Sequence, residues 1–182
     1  MTRAPVPGPA LVVTETPRLR LEPLLEHHAI ELFAGLCDPE IYVFQDDAPP
    51  ASEAALAKRY RSLEARRSPD GSEAWLNWAL FARDLNAYVG SVQATVRDEG
   101  EAEIAYSLFV PAWGRGFASE AVAAMLEVLR TDFAARRFVA HVDPRNRRSV
   151  ALLERLDFVR AGTRAASNPT QPEPDLVYRR QA

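Results

Sequence analysis

Hydrophobic and polar residues alternate from Thr16 to Leu21. Leu19 and Leu21 fall on one side and Arg18, Arg20 and Glu22 on the other, which is the period of a half-buried strand. From Glu26 to Leu36 the spacing becomes helical, with Ala29, Ile30, Phe33 and Leu36 as the apolar side, and Asp38-Pro39 ends it. A polar loop containing Asp46, Asp47, Pro49 and Pro50 leads to a second helix, with Ser52 as its N-cap and Glu53 in its first turn. Trp75–Ala82 and Tyr88–Val96 read as strands joined by the hairpin-like Arg83-Asp84-Leu85-Asn86, and Glu101–Val110 alternates as another. A glycine-containing turn follows, then a helix over Phe117–Arg130, a strand over Arg137–Val142, a helix over Arg147–Leu156 and a strand over Phe158–Thr163. A proline- and serine-rich loop leads to a short strand near Leu176–Arg179.

Antiparallel strands followed by β-α-β-α-β predict an α/β fold, a mixed sheet with helices on both faces. No internal repeat or interior linker interrupts the order. The 182 residues fit one domain, residues 11–182, behind a flexible Pro-rich leader over residues 1–10.

Composition narrows the function classes. With 47% hydrophobic and 26% charged residues the chain has the balance of a globular protein with a core. A formal net charge of -3 gives no ground for expecting nucleic acid or a membrane surface as an obligate partner. The opening MTRAPVPGPALVV has neither the apolar length of a membrane span nor the layout of a signal peptide, so the expected compartment is the cytoplasm. Cys37 is the sole cysteine, which excludes an intrachain disulfide and a cysteine-based zinc cluster; its apolar surroundings predict a small buried hydrophobe.

The segment Pro111-Ala112-Trp113-Gly114-Arg115-Gly116-Phe117-Ala118-Ser119-Glu120-Ala121 joins a strand to a helix. On that helix Phe117, Ala121, Met125 and Leu129 repeat at four residues, with Glu120 and Glu127 on the opposite side. Glycines directly before a helix let a ligand approach the backbone, and the free N–H groups and dipole of the first turn favour an anion such as a pyrophosphate. A tight turn with no ligand has the same sequence. Gly114 and Gly116 lack the third glycine of a dinucleotide fingerprint, and no Gly-Lys-Ser/Thr follows to make a Walker loop.

The string WGRGFASEA resembles the acetyl-CoA pyrophosphate loop of the GNAT superfamily of N-acetyltransferases, Gln/Arg-x-x-Gly-x-Gly/Ala. TPRLRLEPL resembles the first strand of the branch that acetylates ribosomal-protein N-termini, and VDPRNRRSVALLERLDF its Asn-x-x-Ser helix. Three landmarks in order span roughly residues 16–158. Trp113 stands where Gln or Arg is usual, and Ala105 and Asp157 replace glycines of the Ile-Gly-Tyr and Leu-Gly-Phe patterns.

The resemblance implies a fold in which the strand Glu101–Val110 splays from the strand Arg137–Val142. Acetyl-CoA, as cosubstrate, would lie in the gap, against main-chain groups near Leu108, Phe109 and Val110 and the loop Trp113, Gly114, Arg115, Gly116, Phe117 and Ala118. Glu103 is then either a base for the attacking amine or a solvent-facing carboxylate. Leu153 occupies the place of the tyrosine that often protonates the departing thiolate. Ser149, on the face of Asn146, Leu152 and Leu156, is the candidate in its stead, or else bonds back to its own helix. Asn146 caps that helix, touches the cofactor, or both. His141 borders the implied cleft without an assigned role, His27 and His28 read as surface residues, and Arg136, Arg137, Arg145, Arg147 and Arg148 cluster toward the cofactor end. The implied reaction is acetyl transfer to a primary amine (a protein N-terminus, amino acid or small molecule) by direct attack in a ternary complex. A coenzyme A-binding module without catalysis is the alternative. A monomer and a homodimer both fit, and the acidic Asp46-Asp47 loop could draw in a cationic amine.

Overall fold

A computed structural model describes residues 10–97, 100–168 and 171–182; the leader predicted over residues 1–10 lies outside them except for Ala10. A short strand β1 (Thr14–Glu15) and β2 (Leu19–Pro23) precede α1 (His28–Leu36), a 3-10 turn (Pro39–Tyr42) and α2 (Glu53–Leu63). Three long strands follow, β3 (Glu73–Ala82), β4 (Ala87–Arg97) and β5 (Glu101–Leu108), then a 3-10 turn (Val110–Ala112) and α3 (Phe117–Asp132). The remainder is β6 (Arg137–Val142), α4 (Arg147–Arg155), β7 (Val159–Arg164) and β8 (Asp175–Gln181).

The eight strands form one sheet in the order β1-β2-β3-β4-β5-β6-β8-β7. All neighbours are antiparallel except β5 and β6. That parallel pair is short: its rungs are Glu101 with Arg137, Ala102 with Phe138 and Glu103 with Val139. Beyond Glu103 the two strands share no ladder, so the sheet opens there. The predicted mixed α/β domain with helices on both faces is the observed fold.

Each face carries its own core. Leu76, Trp78 and Leu80 of β3 and Val92 and Ala94 of β4 join the apolar stripe of α3, formed by Phe117, Ala121, Met125 and Leu129. Leu152 and Leu153 of α4 belong to the same cluster. The opposite face, through Ala79, packs with Leu24, Ala29, Leu32, Leu56 and Tyr60 under α1 and α2. Because β3 and β4 are covered on both faces, their burial does not follow a simple in–out alternation. At the β4–β5 contact Gly90 has φ +144, and a Cβ there would reach 2.2 Å from the Ser107 carbonyl oxygen, so only glycine lets the end of β5 lie this close.

Several sequence expectations are corrected. Cys37 is exposed, because it follows the last turn of α1 after the inward stripe of His28, Ala29 and Leu32 has turned away. For the same reason Ile30 faces solvent, 65% exposed. His28 is buried rather than on the surface: its Nε2 lies 3.1 Å from Glu22 Oε2, and its Nδ1 accepts the Leu25 N–H at 3.0 Å. Glu120, expected on the solvent side of α3, is tied to the segment before β2 instead. β2 ends at Pro23, its last residue, opposite Trp78.

Candidate active site

Beside the end of β5, past its last rung with β6, lies a cleft of about 1050 Å³. Tyr106, Ser107 and Leu108 of β5 form one wall, Ala112 to Gly114 and Gly116 to Ser119 another, and Asn146 to Ser149 of α4 a third. Glu40 to Gln45, the segment after α1, closes the remaining side.

Gly116 is the N-cap of α3 and sits in the left-handed region, φ 80 and ψ 0, with Gly114 at φ 72. No side chain caps this helix. The first N–H groups of a 16-residue helix therefore open onto the cleft with no side chain bonded to them, although Glu120 lies in the same turn. Arg18 fixes the turn from outside: its Nη1 donates to the Arg115 carbonyl at 2.8 Å and its Nε to Glu120 Oε2 at 2.7 Å. Glu120 also accepts from Thr16 Oγ1 and the Arg18 N–H, at 2.6 and 2.9 Å. Burial opposes its ionisation, but these bonds prevail and hold its carboxyl below the usual range.

Arg145, Arg147, Arg148 and Arg155 line the cleft against a single carboxylate, Glu40. Arg145 is committed to Asp143, with Nη2 to Oδ2 at 2.6 Å, and the Arg148 guanidinium lies 4.7 Å from the centre of the Trp113 ring. Arg136 and Arg137, expected nearby, lie at the opposite end of β6, where both N–H groups donate to the Gly100 carbonyl. The cofactor end therefore has fewer arginines than the sequence suggests, and remains cationic.

Of the residues assigned to the cofactor from sequence, Leu108, Trp113, Gly114, Gly116, Phe117, Ala118, Asn146 and Ser149 line the cleft. Phe109, Val110 and Arg115 do not. Phe109 packs under α1, where a Cβ on Gly35 would meet its ring at 2.4 Å, and its N–H is spent on the Val89 carbonyl at 2.9 Å. Trp113 Nε1 donates to the Leu108 carbonyl at 2.8 Å, so the unusual tryptophan fastens the end of β5 to the loop. Arg115 reaches outward, to Asp84 at 3.2 Å.

Asn146 caps α4, its Oδ1 accepting the Ser149 N–H at 3.2 Å. Among the described residues the Ser149 side chain does not bond back to its own helix, and the Tyr106 hydroxyl donates weakly to the Ser149 carbonyl at 3.4 Å. Burial pushes the Tyr106 phenol up to about 12. Leu153 is 1% exposed in the core.

Glu103 lines neither this cleft nor the second cavity described below. His141 Nδ1 lies 3.1 Å from its Oε1, and Arg97 Nη1 3.3 Å from its Oε2. The hydrogen bond with His141, ahead of the opposing cost of burial, takes the Glu103 carboxyl down to about 2.

The second cavity, about 290 Å³, lies on the α1–α2 face of the sheet. Its floor includes Asn77, Ser91, Gln93 and Ser107, and its walls Leu24, Leu56 and Tyr60. It shares Gln45, Tyr106 and Ser107 with the cleft, so the two spaces meet at the end of β5. Sequence reasoning missed Tyr106, Gln45 and this polar floor. The one available signal was Asn77 set between Leu76 and Trp78 in an otherwise apolar run.

Comparisons with known proteins agree with this geometry. The chain is 28% identical over 149 residues to an uncharacterized N-acetyltransferase, p20, of Bacillus licheniformis, covering 81% of this chain and 82% of that one. A ribosomal L7/L12 α-N-protein acetyltransferase solved in complex with coenzyme A superposes with a TM-score of 0.80, at 19% identity, covering 93% of this chain and 97% of that one. The ribosomal-protein-S5-alanine acetyltransferase of Vibrio fischeri gives 0.79 at 15% identity, over 93% and 96%. At those identities the two structures speak for the fold alone. The sequence pattern of the acetyltransferase (GNAT) domain matches residues 18–159. With that match spanning the first strands, the glycine turn and the capped α4, the chain belongs to the GNAT acetyltransferase family and is an acetyl-CoA-dependent N-acetyltransferase.

Proposed function

We propose that the protein binds acetyl-CoA in the larger cleft and transfers its acetyl group to a primary amine held in the smaller cavity. The meeting of the two spaces at Gln45, Tyr106 and Ser107 carries this reading. It gives the thioester and the amine one place to come together, and positioning removes a large part of the barrier to such a reaction.

The residues divide the work as follows. The uncapped start of α3, with Gly114 and Gly116, seats the pyrophosphate, and Arg147 and Arg148 stand where further phosphate charge would lie. The amine nitrogen forms the new bond to the acetyl carbon as the carbon–sulfur bond breaks. The leaving thiolate takes a proton from the Ser149 hydroxyl, with the Tyr106 hydroxyl held nearby at the Ser149 carbonyl. Ser149 recovers its proton from the nitrogen, through water. Cys37, the sole cysteine, lines neither space, which favours direct attack over an acetylated thiol.

Glu103 acts as a fixed charge rather than as the base. A carboxylate held to about 2 has little tendency to accept a proton near neutral pH. An α-amine, with a pKa of about 7.7–8.0, has roughly a tenth of its molecules neutral near pH 7 and needs little help; a lysine amine needs far more. Protein N-termini, amino acids and small amines all remain acceptors on these grounds.

Initial rates of thiol release, measured with acetyl-CoA and an amine varied together, test the proposal. Intersecting double-reciprocal lines are expected for a ternary complex. Parallel lines would replace it with an acetyl-enzyme, and acetyl-CoA binding without turnover on any amine would favour a coenzyme-binding module.

A further inference from the structure

The floor of the smaller cavity belongs to two rows of residues across three strands. Asn77 of β3 stands opposite Gln93 of β4, which stands opposite Ala105 of β5. In the adjacent row on the same face, Ala79 opposes Ser91, which opposes Ser107. Four of the six positions carry an amide or a hydroxyl, and all four line the cavity. None of these four side chains has a hydrogen-bond partner among the described residues. Nor are their polar atoms sealed away: among the described residues only Trp78 Nε1 is fully buried without a partner.

This is not how a sheet face under two helices is ordinarily finished. At Ala79, the end of the second row, the same face is closed against Leu24, Leu32 and Leu56. Unpartnered amides and hydroxyls contribute nothing to packing there, and they gain their bonds when a ligand supplies the missing partners. The charges of the cavity are already matched. Among the described residues Asp47 and Arg59 are its only carboxylate and cation, and they pair with each other at 3.2 Å. The lining phenols add none, since burial pushes Tyr60 up to about 12. A space of about 290 Å³ is enough for a small molecule or the end of a chain.

We infer that the acetyl acceptor is a small primary amine whose body carries uncharged hydrogen-bonding groups, hydroxyls or amides, and that Asn77, Ser91, Gln93 and Ser107 select it. The inference rests on acetyl transfer with the acceptor in this cavity, and it names the acceptor's class. A diamine would bring a second ammonium to a cavity whose carboxylate is taken by Arg59. A plain alkylamine would leave four polar groups dry and unpaired. Both lose binding relative to a hydroxylated or amidated amine.

The test compares 3-amino-1,2-propanediol, n-butylamine and 1,3-diaminopropane as acceptors for the full-length protein. Thiol release from acetyl-CoA is read, with kcat/KM expressed per unprotonated amine. The diol is expected to exceed each of the others at least tenfold. Asn77→Leu is expected to cut the ratio of diol to butylamine at least tenfold. Ser91→Ala, a smaller change that keeps the fold if Asn77→Leu does not, is expected to cut it at least threefold. Butylamine or the diamine matching the diol, or ratios unmoved in both variants, would overturn the assignment. So would turnover of none of the three by a protein that binds acetyl-CoA. Calorimetry with acetyl-CoA on the parent protein separates the two levels. No affinity at all would sink acetyl transfer itself, whereas intact affinity with an alkyl or diamine preference sinks only the acceptor class.

Discussion

Nδ1 of His141 lies 3.1 Å from Oε1 of Glu103, joining β6 to β5 just beyond the last rung they share. The pair holds the two strands together where the sheet is about to open, and Arg97 adds a second contact to the same carboxylate. This role differs from proton abstraction, and the two are separable by experiment.

Glu103→Gln is expected to leave the pH dependence of turnover between about pH 6 and 9 superimposable on the parent, because the carboxylate is ionised throughout that range. The effect belongs to stability. A carboxyl taken down to about 2 on folding stabilises the protein above its ordinary unfolded value, and loses that contribution as pH falls toward 2. The substitution is therefore expected to cost about 1 kcal/mol at neutral pH, discounted for a partly exposed side chain, and to flatten the fall in stability below about pH 4.5. Denaturant titrations of both proteins at several pH values measure it. A displaced acidic limb in the rate profile would restore Glu103 as a base.

Gly116→Val is expected to weaken acetyl-CoA binding at least tenfold, with Gly116→Asn considerably milder. The reason lies in the backbone more than in space. Gly116 has φ 80, which a β-branched residue strongly resists and asparagine tolerates, whereas a Cβ would meet only the flexible end of Arg18 at 3.3 Å. Calorimetry on the three proteins decides it; equal affinities would remove the pyrophosphate from this turn.

Ser149→Ala is expected to lower kcat about tenfold with stability little changed, since alanine is the better helix former. Tyr106→Phe, which removes the neighbouring hydroxyl, is expected to lower kcat by a smaller factor while coenzyme A affinity holds. Leu153→Tyr does not rescue either. Leu153 is 1% exposed in a packed core, so the added phenol is expected to cost about 1–3 kcal/mol. Turnover and thermal midpoints of the single and double variants are the measurements, and full activity in Ser149→Ala would mean that the thiolate leaves unaided.

Glu120→Ala is expected to destabilise by about 1–3 kcal/mol, because the Arg18 N–H and guanidinium lose the carboxylate they share. Acetyl-CoA affinity should fall with it, since Arg18 then loosens its hold on the Arg115 carbonyl beside the binding turn. Retained affinity at reduced stability would show that the turn stands without this brace.

Much of this was legible in the sequence for physical reasons that also mark where legibility stops. The glycine turn, the stripe of α3 and the capped start of α4 are local: each is written in residues a few positions apart. What escaped depends on distance or on phase. Glu120 meets Arg18, 102 positions away, and nothing around either residue announces the partner. His28 and Cys37 escape because helical spacing admits Ile30 to the inward side of α1, whereas the buried positions are His28, Ala29 and Leu32. Arg136 and Arg137 are near Arg145 in the chain but at the far end of β6 in space. The acceptor floor was hidden because β3 and β4 are covered on both faces, so alternation does not say which face is left open.

The strand order gives the protein a history as well as a shape. β7 pairs with β8 alone, and β8 lies between it and β6. When a ribosome has finished β7, that strand has no partner, and the outer edge of β6 is bare although every residue lining the cleft has already been made. β8 comes last in chain order yet sits between β6 and β7, so neither of those edges is paired until it takes its place. Among the described residues the segment after β7 adds nothing to the lining of the cleft; it works as a fastener, closing the sheet edges that β6 and β7 leave open.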